Sequence, residues 1–240
     1  MSIKDLIRKT LTLLHLDITK NLKYDRLTKL IIAKSLKSTS NTIDIGCHKG
    51  EILDLFLQYS PKGTAFCFEP IPVLFNNLVE KYGNRCKLFS CALSDSKGET
   101  TFNYVKNAPA YSGLLKRQYA IDNPDIEIID VKIDLLDNII PTDIKIDLIK
   151  IDVEGAEFGV LKGARQTILR NKPVIIFECG LGASEFYNTK PEDVFGFLVN
   201  EMGLKLSTLN NWLKNKQSLT NEEFCKLYYS NKEYYFIAHP

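Results

Sequence analysis

From about residue 41 onward, short apolar runs alternate with amphipathic segments, a pattern that predicts strands separated by helices. Residues 41–45 form the first apolar run, where beta-branched Thr42 and Ile43 favour a strand. A glycine-spaced turn follows, then an amphipathic run over residues 51–59. Residues 63–69 predict a strand, 71–82 a helix and 87–93 a strand. Residues 100–105 read as an added strand, paired with the preceding one through the turn at residues 95–98. Residues 107–119 form a polar, aromatic loop, and a loop of that length inside a compact domain is usually functional. Strands are predicted at 126–133, 148–152, 174–178, 205–209 and 234–238, with helices at 158–169 and 193–202. The order argues an α/β fold, doubly wound around a mostly parallel sheet, with ligands bound beyond the carboxyl ends of the strands.

Residues 1–40 differ from the rest. They read as two amphipathic helices, the second over 26–36, with nine Lys or Arg against three acids. We therefore divide the chain into a basic helical extension, 1–40, and a single domain, 41–240. The apolar residues Leu6, Ile7, Leu11, Leu13, Leu14 and Leu16 form a stretch too brief to cross a bilayer and without a small-residue cleavage site, so neither a transmembrane segment nor a signal peptide is expected. The extension suits a cap over the site or the pairing of subunits into a homodimer. Peripheral membrane contact ranks last, because one short amphipathic helix binds only marginally.

A length of 240 residues with 45% hydrophobic and 25% charged composition allows one sizeable core. A net charge of +2 and the lack of a basic stripe argue against nucleic acid as a partner, and the tyrosines at 228, 229, 234 and 235 read as sheet and core residues. Six cysteines form no C-x-x-C pair and mostly sit among apolar neighbours, which suits reduced thiols in a cytoplasmic protein.

Candidate chemistry collects at the strand ends. The loop from Asp44 to Gly50 reads D-x-G-x-x-x-G, not the G-x-G-x-x-G dinucleotide fingerprint. An acid at its entrance repels phosphate and suits a cation. Glu69, Asp152 and Glu178 also end predicted parallel strands, so with Asp44 they should face one crevice. Pro70 holds Glu69 extended, and a carboxylate there can accept both hydroxyls of a ribose; the competing reading is a dipole partner for the next helix, worth ~0.3–1 kcal/mol. Asp152 opens the run Asp152-Val-Glu-Gly-Ala-Glu157, in which Glu154 or Glu157 shapes the turn. In the polar loop, Tyr104, Tyr111, Ser112, Arg117 and Tyr119 suit stacking on a sugar and holding an anionic group, or are solvated loop residues.

Residues 44–50, Phe68-Glu69-Pro70, Cys91-Ala-Leu-Ser-Asp95, 135–139 and Lys150–Glu157 with Leu161-Lys-Gly163 resemble the ordered motifs of the FkbM family of S-adenosylmethionine-dependent methyltransferases. The resemblance spans about residues 41–178. It implies a Rossmann-like class I methyltransferase fold, with a seven-stranded sheet and an antiparallel last strand, and O-methylation of a hydroxyl on a sugar, glycan or secondary metabolite. It also implies S-adenosyl-L-methionine contacts from Asp44, Gly46, Cys47 and Gly50, ribose binding by Glu69, and adenine packing near Pro70 and Ala92; Asp152, from its place before the turn, reads as facing the cofactor's cationic end or the substrate hydroxyl. Where family members show G-A-N-x-G, this chain has Gly46-Cys47-His48-Lys49-Gly50.

A sulfonium methyl is already activated, so the protein must align an oxygen nucleophile at ~3 Å and help remove its proton. Asp152, Glu178 and His48 are the candidate bases, and Tyr111, Ser112 and Arg117 the candidate substrate contacts. Asp152 and Glu178 could alternatively hold a divalent cation, although no metal site is assigned. Two competing readings are a non-catalytic methyltransferase fold serving as partner of a biosynthetic enzyme, and a nicotinamide oxidoreductase, which the missing fingerprint opposes.

Overall fold

A computed structural model describes residues 20–119 and 121–240. The first N-terminal helix expected from sequence lies outside the described residues. The second is α1 (Lys20–Ser35), which starts earlier than residue 26. In chain order there follow β1 (Thr42–Ile45), α2 (Glu51–Tyr59), β2 (Ala65–Phe68), α3 (Pro72–Tyr82), β3 (Lys87–Phe89), β4 (Ala92–Leu93), β5 (Gly98–Val105) and β6 (Ile126–Asp134). The second half holds α4 (Leu136–Ile139), β7 (Leu148–Ile151), α5 (Glu157–Gly163), α6 (Arg165–Asn171), β8 (Val174–Glu178) and α7 (Pro191–Phe195). It ends with β9 (Lys205–Thr208), α8 (Leu209–Leu213), α9 (Asn221–Tyr229) and β10 (Tyr235–His239).

The main sheet has seven strands in the order β3-β2-β1-β7-β8-β10-β9. Its pairs are parallel except those of β10, which runs antiparallel to both β8 and β9. This is the doubly wound sheet with an antiparallel last strand that the resemblance implies. The strand order reverses between β1 and β7, which are hydrogen-bonded neighbours although far apart in sequence. Their carboxyl ends therefore frame the switch-point crevice. Both strands are buried along their whole length, as expected for a parallel sheet covered on two faces. On α1, Tyr24, Leu27 and Ile31 pack with Ile176, Leu209 and Ile237, and Ile32 packs with Phe56 and Leu148. Helix α1 is thus part of the core that supports the sheet.

Four expectations need correction. The segment at 87–93 is not one strand: Lys87–Phe89 pairs with β2, while Ala92–Leu93 pairs in parallel with β6 in a separate three-stranded sheet. Strand β5 does not pair with its predecessor but runs antiparallel to β6, from Gly98 opposite Ile133 to Val105 opposite Ile126. Period-two alternation suits any partner, and β6 offers the longer ladder. The predicted helix at 158–169 is broken at Ala164 into α5 and α6, and Gly163 lies so close to the Ser94 carbonyl that no larger residue fits. The predicted helix at 193–202 begins at Pro191 and continues after α7 as a π-helical turn, Gly196–Glu201.

Candidate active site

The first wall of the crevice is the turn between β1 and α2. Gly46, His48 and Gly50 have φ of 82°, 51° and 81°, left-handed values that favour glycine. A Cβ on Gly46 would strike the Asp152 carbonyl, and one on Gly50 the Tyr82 hydroxyl, so both positions need glycine for space as well as conformation. The Gly46 and Cys47 amides donate to the Phe68 carbonyl at 3.0 and 3.1 Å, and the Tyr82 hydroxyl donates to the Gly50 carbonyl at 2.8 Å. Cys47 is buried and its thiol donates to the Asp44 carbonyl at 3.3 Å.

Asp44 is buried, and its Oδ2 has no hydrogen-bond partner. Burial pushes its pKa up to about 7, against the opposing charge of Lys150 on the neighbouring strand. Glu69, also buried, accepts from the His48 amide at Oε2 (2.8 Å) and from the Ile71 amide at Oε1 (2.9 Å). Burial likewise raises it to about 7, and the two amides partly offset that rise. Each oxygen keeps a further lone pair, so the two amides fix the carboxylate in place without using up its acceptor capacity. The His48 ring lies beside α2, with Nδ1 3.9 Å from Glu51 Oε2 and Nε2 buried without a partner. Ala92 is packed among Ile71, Leu74, Phe102 and Val131. Pro70 stands between Glu69 and Ile71 at the start of that cluster.

The second wall follows β7. The backbone turns sharply at Glu154 (φ 60°) and Gly155 (φ 109°). Glu157 holds the turn, its Oε1 accepting from the Val153 and Gly155 amides at 2.9 and 3.1 Å. Its buried Oε2 has no partner, and burial raises its pKa to about 7. Asp152, Glu154 and Glu178 bring carboxylate oxygens within 4.8 Å of one another. Two cations face them. Lys150, buried, donates to Asp152 Oδ2 at 2.9 Å, and Arg117 pairs with Glu154.

The Tyr235 hydroxyl also donates to Asp152 Oδ2. Burial alone would raise the Asp152 pKa, but the Lys150 charge and the Tyr235 and Lys150 hydrogen bonds outweigh it and hold the group below its ordinary range. Glu178 goes the other way: burial first, then the charges of Asp152 and Glu157, push it well above the usual carboxylate range. The neighbouring acids are thus driven apart, Asp152 toward the ionised form and Glu178 toward the protonated one.

The polar loop closes over this wall. The Tyr187 hydroxyl accepts from the Leu115 amide at 2.9 Å, and Arg117 stacks over Tyr111 with 5.5 Å to the ring centroid. Ser112 is turned inward, its hydroxyl accepting from the Val105 amide at 2.9 Å, so it fastens the loop to β5. Of the expected substrate contacts, Tyr111 and Arg117 therefore stand with the acids. Tyr104 packs on the small-sheet cluster instead.

Lys150 and Tyr187 were not singled out from sequence, and Tyr235, read there only as a sheet and core residue, also places its hydroxyl on Asp152. A lysine inside the otherwise apolar run Leu148-Ile-Lys-Ile151 was the available signal for the first. Nothing local marked Tyr187, and the tyrosine cluster gave no sign that Tyr235 reaches the crevice; both come from distant segments.

A family model described as the methyltransferase FkbM domain matches residues 44–206. The chain is 30% identical over 145 residues to the 2-O-methyltransferase NoeI of Sinorhizobium fredii, covering 54% of this chain and 59% of that protein. It is 26% identical over 179 residues to the methyltransferase sdnD of Sordaria araneosa, covering 60% and 69% respectively. The crystal structure of a methyltransferase FkbM from Methylobacillus flagellatus KT superposes with a TM-score of 0.52 at 16% identity, covering 85% of this chain and 44% of that one. That likeness concerns the fold.

Proposed function

Because the chain belongs to the methyltransferase FkbM family, we propose that it is an S-adenosylmethionine-dependent O-methyltransferase acting on a hydroxyl of a sugar, glycan or secondary metabolite. The observation that carries this reading is the pairing of the two walls. A glycine turn with an orphaned buried carboxylate oxygen on Asp44 faces Asp152 and Glu178, whose carboxylates meet at the end of the second wall and whose pKa values are pushed in opposite directions. The residues fit the cofactor: the orphaned buried oxygen of Asp44 and the two amide-held oxygens of Glu69 offer acceptors suited to an amino group and to ribose hydroxyls, beside the glycine turn. When bound, S-adenosylmethionine supplies a methyl group that the acceptor oxygen takes up as the carbon–sulfur bond breaks, its electron pair remaining on sulfur.

The chain's residues do the rest. Asp152 orients the acceptor hydroxyl and receives its proton, while Glu178, whose burial favours its protonated form, stands beside it in the same wall. Arg117 and Tyr111 present a guanidinium over an aromatic face, suited to gripping and stacking a glycosyl or polyol acceptor. Lys150 and Arg117 already balance the ionised acids, so this reading needs no divalent ion. A 2-O-methyltransferase among the relatives supports an oxygen acceptor.

Calorimetry tests the cofactor half directly. S-adenosylmethionine and S-adenosylhomocysteine should bind at micromolar affinity, and Glu69→Ala should weaken both by ~10-fold or more, since a hydrogen-bonded charged anchor is worth about 1.5–3 kcal/mol. Binding of neither compound by the parent chain would refute the proposal.

A further inference from the structure

We propose that Lys150 and Tyr235 are positioning residues for Asp152, together occupying its Oδ2 so that the acceptor meets its other carboxylate oxygen. Each carboxylate oxygen has about two lone-pair sites. On Oδ2 the Lys150 ammonium takes one at 2.9 Å and the Tyr235 hydroxyl takes the second. The two donors also hold each other: Lys150 Nζ lies 3.4 Å from the Tyr235 hydroxyl and 4.9 Å from its ring centroid. This inference rests on the methyl-transfer reading for the task of Asp152, but not for its geometry.

The fold explains why these two residues meet. Lys150 precedes Asp152 by two positions, so strand periodicity brings both to one side of β7. Its register partner on β1 is Asp44, so a single buried ammonium lies between the acid of the cofactor turn and the acid of the acceptor wall. Tyr235 opens β10 opposite Glu178 and reaches past β8 to Asp152. Its ring is backed by Tyr24 of α1, with 5.1 Å between centroids. The N-terminal helix is therefore part of what aims Asp152. The titratable and charged groups around that carboxylate are Lys150 on its own strand, Glu154 from the following turn with its partner Arg117, Tyr234 and Tyr235 from the β10 end, Glu178 from β8, Asp44 from β1 and Glu157 from α5.

The test follows the Asp152 carboxyl carbon by NMR titration in aspartate-labelled protein, the resonance being assigned by its loss in Asp152→Asn. Removing the donor in Tyr235→Phe should move the Asp152 midpoint up by about one unit or more. S-adenosylhomocysteine affinity and melting temperature should stay near those of the parent. Lys150→Gln is the second variant and should also move the midpoint upward. Unmoved midpoints in both variants would overturn the assignment. A midpoint that shifts only together with collapse of melting temperature and of S-adenosylhomocysteine binding would also overturn it, since that marks a purely structural role. If the midpoint shifts as expected but the parent binds neither cofactor form, the positioning holds and the methyl-transfer reading fails.

Discussion

Gly46 shows how narrowly single positions constrain this site. Its φ of 82° and its contact with the Asp152 carbonyl place one backbone directly against another, joining the two walls of the crevice. Gly46→Ala should therefore destabilise the chain by about 1–3 kcal/mol, from backbone strain and collision together, and should abolish binding of S-adenosylhomocysteine. Paired thermal melts and calorimetry check this; an alanine variant with parent-like affinity would show the turn to be more tolerant than its geometry implies. Glu69 is constrained in a different way. Sequence suggested a carboxylate free to embrace a ribose, whereas the structure fastens both oxygens to the His48 and Ile71 amides. The Ile71 amide, at the start of the next helix, is local to Glu69, but the His48 amide comes from the turn after β1, and sequence order does not place that turn beside Glu69.

At the scale of elements, α9 was legible and overlooked. Thr220 and Glu223 form a capping box, the Thr220 hydroxyl accepting from the Glu223 amide at 3.2 Å and the Glu223 carboxylate from the Thr220 amide at 2.9 Å. The signature T-x-x-E before an apolar-spaced run announces such a helix start. Thr220→Ala should cost about 1 kcal/mol, measurable as a lower denaturation midpoint without change in cofactor affinity. A loss of affinity in that variant would mean that α9 reaches the site. The pairing of β5 with β6 was not legible. Those strands are separated by the polar loop, and only the folded arrangement shows which edge the loop returns to. Helix α1 gave a clear amphipathic pattern, yet its place behind Tyr235 depends on aromatic packing that periodicity does not encode.

For the molecule as a whole, the buried acids make stability depend on pH. Asp44, Glu69 and Glu157 are each raised to about 7, chiefly by burial, so between the ordinary carboxylate range and that value the folded chain binds more protons than the unfolded one. Their contribution is full below the unfolded pKa and is lost as pH rises through the folded one. Asp152 has the opposite sign, its stabilisation disappearing only as pH falls below the ordinary carboxylate range. Between about pH 5 and 8 the three raised groups dominate, so the melting temperature without ligand should fall as pH increases, by ~2–4 °C for each kcal/mol lost. A flat or rising profile in scanning calorimetry would contradict the burial of these acids.

Sequence alone determined the alternation of elements, the glycine turn and the run of strand-terminal acids. Those features are local: periodicity of apolar residues, glycine spacing and the position of a charge at the end of an apolar run are all fixed within a few residues of one another. Tertiary structure decided what each acid is. Whether the pKa of Asp152 falls and that of Glu178 rises depends on Lys150 two residues away and on Tyr235 more than eighty residues away, and on burial that exists only once β1, β7, β8 and β10 lie side by side. Protonation states follow from neighbours in space and from loss of water, and a chain's order in sequence specifies neither until it has folded.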